Sequence, residues 1–216
     1  MKKMLFAFVM ASSVFAQAAL LSFEDGAKAL NGVNLKATAT LNDKDGKPSA
    51  LKLDILGAGL RTKTVLIAEV KVYVAQLFSD NKAGFSRDAN TGLTTLVSSS
   101  SRVALKLDML RNVSAASLVT SFKEALAANN YALDAELTNA MGLMEKAADA
   151  TSGKSITLLM TKDGGKTNLY YEDTKGAVVS MSGTPEMMTK IMSIWLGKPV
   201  DDGLAALKTQ LLKPVY

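Results

Sequence analysis

The chain has no histidine and no cysteine among its 216 residues, and the two absences remove much of enzyme chemistry. There can be no Ser-His or Cys-His nucleophile, no imidazole base and none of the usual zinc ligand sets. No disulfide can form either, so stability must come from burial of a core. Aromatics are sparse, with 7 Phe, 5 Tyr and 1 Trp, and the basic residues are interspersed with acids rather than gathered in a stripe. That leaves no nucleic-acid footprint. Past the N-terminus no stretch is apolar for long enough to form a membrane helix, because a charged residue interrupts every candidate. No helical segment is strongly basic on one face, as a helix lying on a membrane would be.

The first residues carry an address. Met1-Lys2-Lys3 is a positive start, Met4 to Ala16 is almost wholly apolar or small, and Ala16-Gln17-Ala18 has the small-x-small form that signal peptidases cut. An apolar run of about 13 residues falls short of the roughly 20 needed to span a bilayer. Residues 1–18 therefore read as a signal peptide, and 19–216 as one mature domain that is periplasmic or otherwise exported, soluble and without stable membrane insertion. Cleavage removes Lys2 and Lys3, which lowers the basic count from 25 to 23 against 20 acids and the net charge from +5 to +3.

Hydrophobic periodicity gives the elements. Leu35, Ala37, Ala39 and Leu41 alternate with polar residues, Asp43 to Pro48 supplies turn chemistry, and Leu51, Leu53 and Ile55 alternate again, which is a hairpin signature. Val65 to Phe78 reads as one long strand, and Val103 to Met109 as another after the serine run Ser98 to Ser101. The period then changes. Ser114 and Asp134 are positioned to cap two helices, with Leu118, Val119, Phe122 and Leu126 on one buried stripe and Leu137, Ala140, Met141, Met144 and Ala148 on the other. Met141 and Met144 are core at this spacing more often than a ligand-facing surface. Strands return at Ser155 to Thr161, Asn168 to Glu172 and Ala177 to Met181. A helix from Thr184-Pro185 through Trp195 and a last helix capped by Asp201 or Asp202 complete an α+β pattern. Neither Gly164-Gly165, which lacks a following helix, nor Asn42-Asp43-Lys44-Asp45-Gly46, which lacks a distal Glu, makes a phosphate or calcium site. No cofactor and no metal are expected.

One constellation goes beyond architecture. Gly57-Ala58-Gly59-Leu60-Arg61, followed by Lys71-Val72-Tyr73, with Lys106-Leu107-Asp108 and Ile194-Trp195-Leu196-Gly197, resembles the chalcone isomerase-like family in its bacterial exported branch. The resemblance runs from about Leu20 to the C-terminus. It implies a large curved antiparallel sheet with a layer of helices packed on one face and a cleft between them. The family includes plant isomerases that close a flavanone ring and relatives that resemble fatty-acid-binding proteins. Its arginine matches Arg61. Where the plant isomerases carry a threonine this chain has Tyr73, as the fatty-acid-binding relatives do. A gapless match puts the isomerases' helical tyrosine and asparagine near Leu118 and Ala125, neither of which can donate a hydrogen bond.

Ring closure needs donors aimed at a developing oxyanion, and this set is largely gone. A carboxylate needs less: a planar guanidinium fork and one hydroxyl suffice. Arg61 and Tyr73 are accordingly the expected ligand-binding pair, with no catalytic residue, for a small amphipathic or fatty-acid-like ligand. Two alternatives stay open: an isomerase or intramolecular lyase on another substrate using Arg61, and a protein-interaction scaffold whose cleft is filled by its own side chains. Arg61 as an ion-paired strand end and Tyr73 as a sheet-face aromatic are the structural readings of the same residues.

Overall fold

The computed structural model describes residues 19–216, so the signal-peptide expectation for residues 1–18 lies outside the described residues. Eight strands, β1 (Leu21–Leu30), β2 (Val33–Asn42), β3 (Pro48–Val65), β4 (Ala68–Ser79), β5 (Arg102–Met109), β6 (Ser155–Asp163), β7 (Lys166–Glu172) and β8 (Val178–Gly183), form one sheet. Their order in the sheet is their order in the chain, and every neighbouring pair is antiparallel. Among the described residues five helices accompany them: α1 (Gly92–Ser99), α2 (Ala115–Ala128), α3 (Ala135–Glu145), α4 (Met187–Leu196) and α5 (Asp202–Leu211).

Alternation along the strands sorts side chains between two cores. Tyr73, Ala75 and Leu77 of β4 enter the larger one together with Leu96, Leu118, Phe122, Leu137, Trp195 and Leu207, so all five helices pack on one face of the sheet. Val74 and Phe78 point the other way, into a smaller cluster with Leu35, Leu53, Ala104 and Leu159. The helix starts are where their caps place them. Ser114 accepts from Ser117 N–H at 3.1 Å, Asp134 from Leu137 N–H at 2.8 Å and Asp201 from Leu204 N–H at 2.8 Å; such caps contribute about 1 kcal/mol each. Met141 and Met144 are fully buried in the larger core, while Ala148 lies beyond the end of α3.

The sheet curves. Register shifts interrupt β1–β2, β2–β3 and β3–β4, and each such bulge bends its strand and raises the local twist. The result brings distant strands together: Leu20, just before β1, donates its N–H to Glu172 of β7 at 3.2 Å, and the Phe23 ring lies 5.6 Å from that of Phe78 on β4. Inside this fold a polar network links β2, β4, β5 and β6. Lys106 ion-pairs with Asp108 and donates to Ser155, Gln76 donates to Asp108 at 2.8 Å, and the same Gln76 accepts from Lys36 N–H at 2.7 Å.

Three local expectations change. Val65 to Phe78 is not one strand, because the chain reverses at Leu66 and Ile67, and the long strand is β3, with 18 residues. The serine run is partly helical, since Ser98 and Ser99 end α1 and Ser100 is its C-cap. β1 adds a strand at the sheet edge that the residue pattern does not announce.

Candidate ligand-binding site

The glycines of the Gly-x-Gly motif lie under α5. A Cβ on Gly57 would stand 1.8 Å from the Leu211 carbonyl oxygen, and one on Gly59 would stand 2.7 Å from Gln210 Cβ. Only a missing side chain lets the helix backbone come this close to β3. Just beyond the glycines the strand is tied to the same helix. Leu60 N–H donates to Gln210 Oε1 at 2.9 Å, and Arg61 meets the start of α5 with both prongs of its guanidinium.

That fork is engaged. Arg61 Nη1 and Nη2 donate to Asp201 Oδ1 and Oδ2 at 2.6 and 2.7 Å, and Nη1 also donates to the Thr62 carbonyl. Arg61 is buried, while Asp201 keeps about a third of its side chain in contact with water. Burial works to raise the Asp201 pKa, but the hydrogen bonds from Arg61 and from Leu204 N–H outweigh it and hold the carboxyl below the ordinary aspartate value. Asp201 therefore caps α5 and neutralises Arg61 at once. Three of the five N–H groups that an arginine carries are used in these bonds, and Arg61 also has a side-chain hydrogen-bond interaction with Tyr73.

Tyr73 stands directly opposite Arg61 in the β3–β4 register. Its hydroxyl accepts from Trp195 Nε1 at 3.0 Å, and Trp195 in turn packs edge-on against Phe122 at 5.2 Å. Burial pushes the Tyr73 pKa up, and the Trp195 donor and the nearby Arg61 charge offset only part of that rise. The phenol stays protonated at neutral pH, with its own proton still available to a neighbour.

The pair forms part of the floor of a cleft of about 620 Å³ between β3–β4 and α2, closed at one end by Ile194, Val200 and Leu204. Leu118, Phe122 and Ala125 give it an apolar wall. Lys63, Arg111, Asn112, Ser117 and Thr120 form an exposed polar rim. Leu118 and Ala125 thus do face the cleft, and both present hydrocarbon there. Arg61 and Tyr73 are brought together as expected. Their partners Asp201 and Trp195 are not legible in the sequence: Asp201 reads there only as a helix cap, and no local spacing links it to a residue 140 positions away.

The cleft can do one kind of chemistry readily. It offers hydrocarbon surface for an aliphatic or aromatic body, and at its buried end the Tyr73 hydroxyl beside a neutralised ion pair.

The chain is similar in structure to an Arabidopsis thaliana fatty-acid binding protein, with a TM-score of 0.61 and 17% sequence identity over 88% of this chain and 96% of that one. At that identity the likeness is one of fold. No curated protein matches the chain by sequence. The family model described as chalcone isomerase-like matches residues 27–213, and with the eight-stranded antiparallel sheet and its single layer of helices it establishes that this chain belongs to the chalcone isomerase-like family.

Proposed function

We propose that this chain is an exported, non-catalytic binding protein that holds a small amphipathic molecule such as a fatty acid, with the hydrocarbon against Leu118, Phe122, Val70 and Val72 and the head group near Arg61 and Tyr73. The observation that carries the reading is the cleft of about 620 Å³ that has two buried polar side chains on an otherwise apolar floor. Its size falls within the range of small-molecule sites. A cleft filled by its own side chains would leave no such volume. An isomerase would need several donors aimed at one oxyanion, whereas Leu118 and Ala125 offer none and Asp201 already occupies the fork of Arg61. The structural likeness to a fatty-acid binding protein supports the same reading.

Titration with fatty acids and their methyl esters tests it. Tyr73→Phe should weaken acid binding by about 0.5–1.5 kcal/mol, the net value of one hydrogen bond. Asp201→Asn should strengthen it, because the amide keeps the cap and the shape while restoring an uncompensated charge to Arg61. The esters should gain nothing from that change. Equal affinity for acids and esters, in wild type and variant alike, would remove the head-group site.

Export rests on Met1 to Ala18. Protein recovered from the cell envelope should begin at or near Ala19, and N-terminal sequencing that finds only intact Met1 would refute this.

A further inference from the structure

β3 and β4 run on past their neighbours. β5 pairs with β4 only from Tyr73 to Ser79, and β2 pairs with β3 only from Pro48 to Asp54. From Thr62 to Lys71 the two strands pair with each other alone, so they form a two-stranded arm. At its end stand Leu66 and Ile67, 95% and 100% exposed, next to Val65 at 49%.

This tip is anomalous on three counts. A two-residue reversal normally carries Gly, Asn or Asp, yet here Leu66 adopts φ +58°, a conformation that costs an L-residue with a bulky side chain roughly 1–2 kcal/mol. Two fully exposed large aliphatic side chains side by side are also the opposite of what keeps a soluble surface inert. The third count is location. Of the seven large apolar residues exposed among those described, Val65, Leu66, Ile67 and Val200 belong to this tip or to the adjoining cleft. Val65, Val70 and Val72 line the cleft, so one apolar track leads from the tip to Tyr73 and Phe122.

The arm itself carries two lysines against one glutamate. Lys63 and Lys71 flank the arm and Arg111 stands on the facing rim, all exposed and none in a salt bridge among the described residues; the acids nearby are Glu69 on the arm, Glu124 on the rim, and Asp202 and the Arg61-bound Asp201 beside Lys63 at the foot of the arm, away from its tip. Two aliphatic side chains on a narrow arm offer far less surface than the roughly 800 Å² per partner of a stable protein interface. A short apolar wedge flanked by lysine and arginine instead matches a bilayer surface, where hydrocarbon enters the acyl boundary and cations meet anionic head groups.

We propose that the Val65–Ala68 tip of this arm docks reversibly on an anionic lipid surface and so presents the mouth of the cleft to the bilayer. Docking does not depend on the cleft's ligand. Exchange of an amphipathic ligand between bilayer and cleft is the consequence that rests on the function proposed above.

The test uses mature protein and phosphatidylcholine vesicles with and without phosphatidylglycerol. Wild type should sediment with the anionic vesicles and be released by salt. The double substitution Leu66→Asp/Ile67→Asp should lower the partition coefficient at least about tenfold, since the apolar wedge is lost, and Lys63→Glu/Lys71→Glu should abolish the preference for anionic lipid. Because the chain has no cysteine, Ile67→Cys carries a single environment-sensitive dye. Its emission should shift to the blue on anionic vesicles, while the same dye at Leu51→Cys, far along β3, should not respond. The tip variant should still bind fatty acid in solution, which separates loss of docking from loss of the ligand site. Absence of wild-type binding to anionic vesicles, or equal binding by the tip-charged variant, overturns the proposal. So does a self-associating wild type that the tip substitutions convert to monomer without changing vesicle binding.

Discussion

Replacing Gly57 with alanine is expected to destabilise the protein by at least about 3 kcal/mol, the upper part of the range for overpacking a core. One methyl group has this effect because its neighbour is main chain. The added carbon would meet the Leu211 carbonyl oxygen at 1.8 Å and its carbon at 2.5 Å, and neither can move by a change of rotamer. The whole of α5 must lift from β3, which strips Leu207 and Leu211 of their contacts and breaks the Leu60-to-Gln210 bond. Gly142→Ala serves as the control. That glycine sits inside α3, where an added methyl would have nothing within 4 Å, so alanine there should stabilise by about 0.5–1 kcal/mol. Chemical denaturation of the two variants should move the midpoints in opposite directions. Similar shifts for both would show that α5 is not seated on Gly57.

Asp201→Ala is expected to cost about 3–5 kcal/mol, from two separable losses. Breaking a buried ion pair strands the guanidinium of Arg61, which is worth about 2–4 kcal/mol after allowing for the third of Asp201 that faces water. Losing the N-cap of α5 adds about 1 kcal/mol. Asp201→Asn separates the two, because asparagine caps as well as aspartate but leaves Arg61 without its counter-charge. The same residue sets a pH dependence. The folded-state pKa of Asp201 is depressed, so its contribution is fully present above the unfolded aspartate value of about 3.9 and is lost as pH falls below that value towards the folded one. Melting temperatures between neutral pH and about pH 3 should therefore fall less in Asp201→Asn than in wild type. An identical acid slope would show that other carboxylates account for it.

Much of this fold is legible in the residues, and the parts that are not have physical reasons. The turns at Asp43–Pro48 and Asp163-Gly164-Gly165 stand out because their residues tolerate or favour turn conformations. The reversal at Leu66-Ile67 has no such residues and reads as more strand. β1 hides because register shifts at Glu24, Asp25 and Ala29 break its alternation. α1 hides because Gly, Thr, Val and Ser are weak helix formers; Leu96, fully buried, anchors it in the core. At the site, Arg61 and Tyr73 are recoverable through the family resemblance, whereas the hairpin register that sets them opposite each other is hidden by the unmarked reversal at Leu66-Ile67. The pairing of Arg61 with Asp201 joins opposite ends of the domain, and only the packing of α5 reveals it. The Gly-x-Gly motif is legible as a family signature, whereas its reason, clearance for a helix, is not.

Strand order and chain order coincide throughout the sheet, and this bears on how the chain folds. Each strand pairs with the one just before it, so β1 to β4 and β6 to β8 can each grow by successive hairpins, whereas β6 returns to β5 only after the segment that carries α2 and α3. α5 closes a longer loop still. Its seat on β3 lies some 150 residues upstream, and until its last turns exist, Gly57, Gly59 and Arg61 have no cover. The domain can thus assemble its sheet from the N-terminal side, yet it reaches full stability only when its final residues dock.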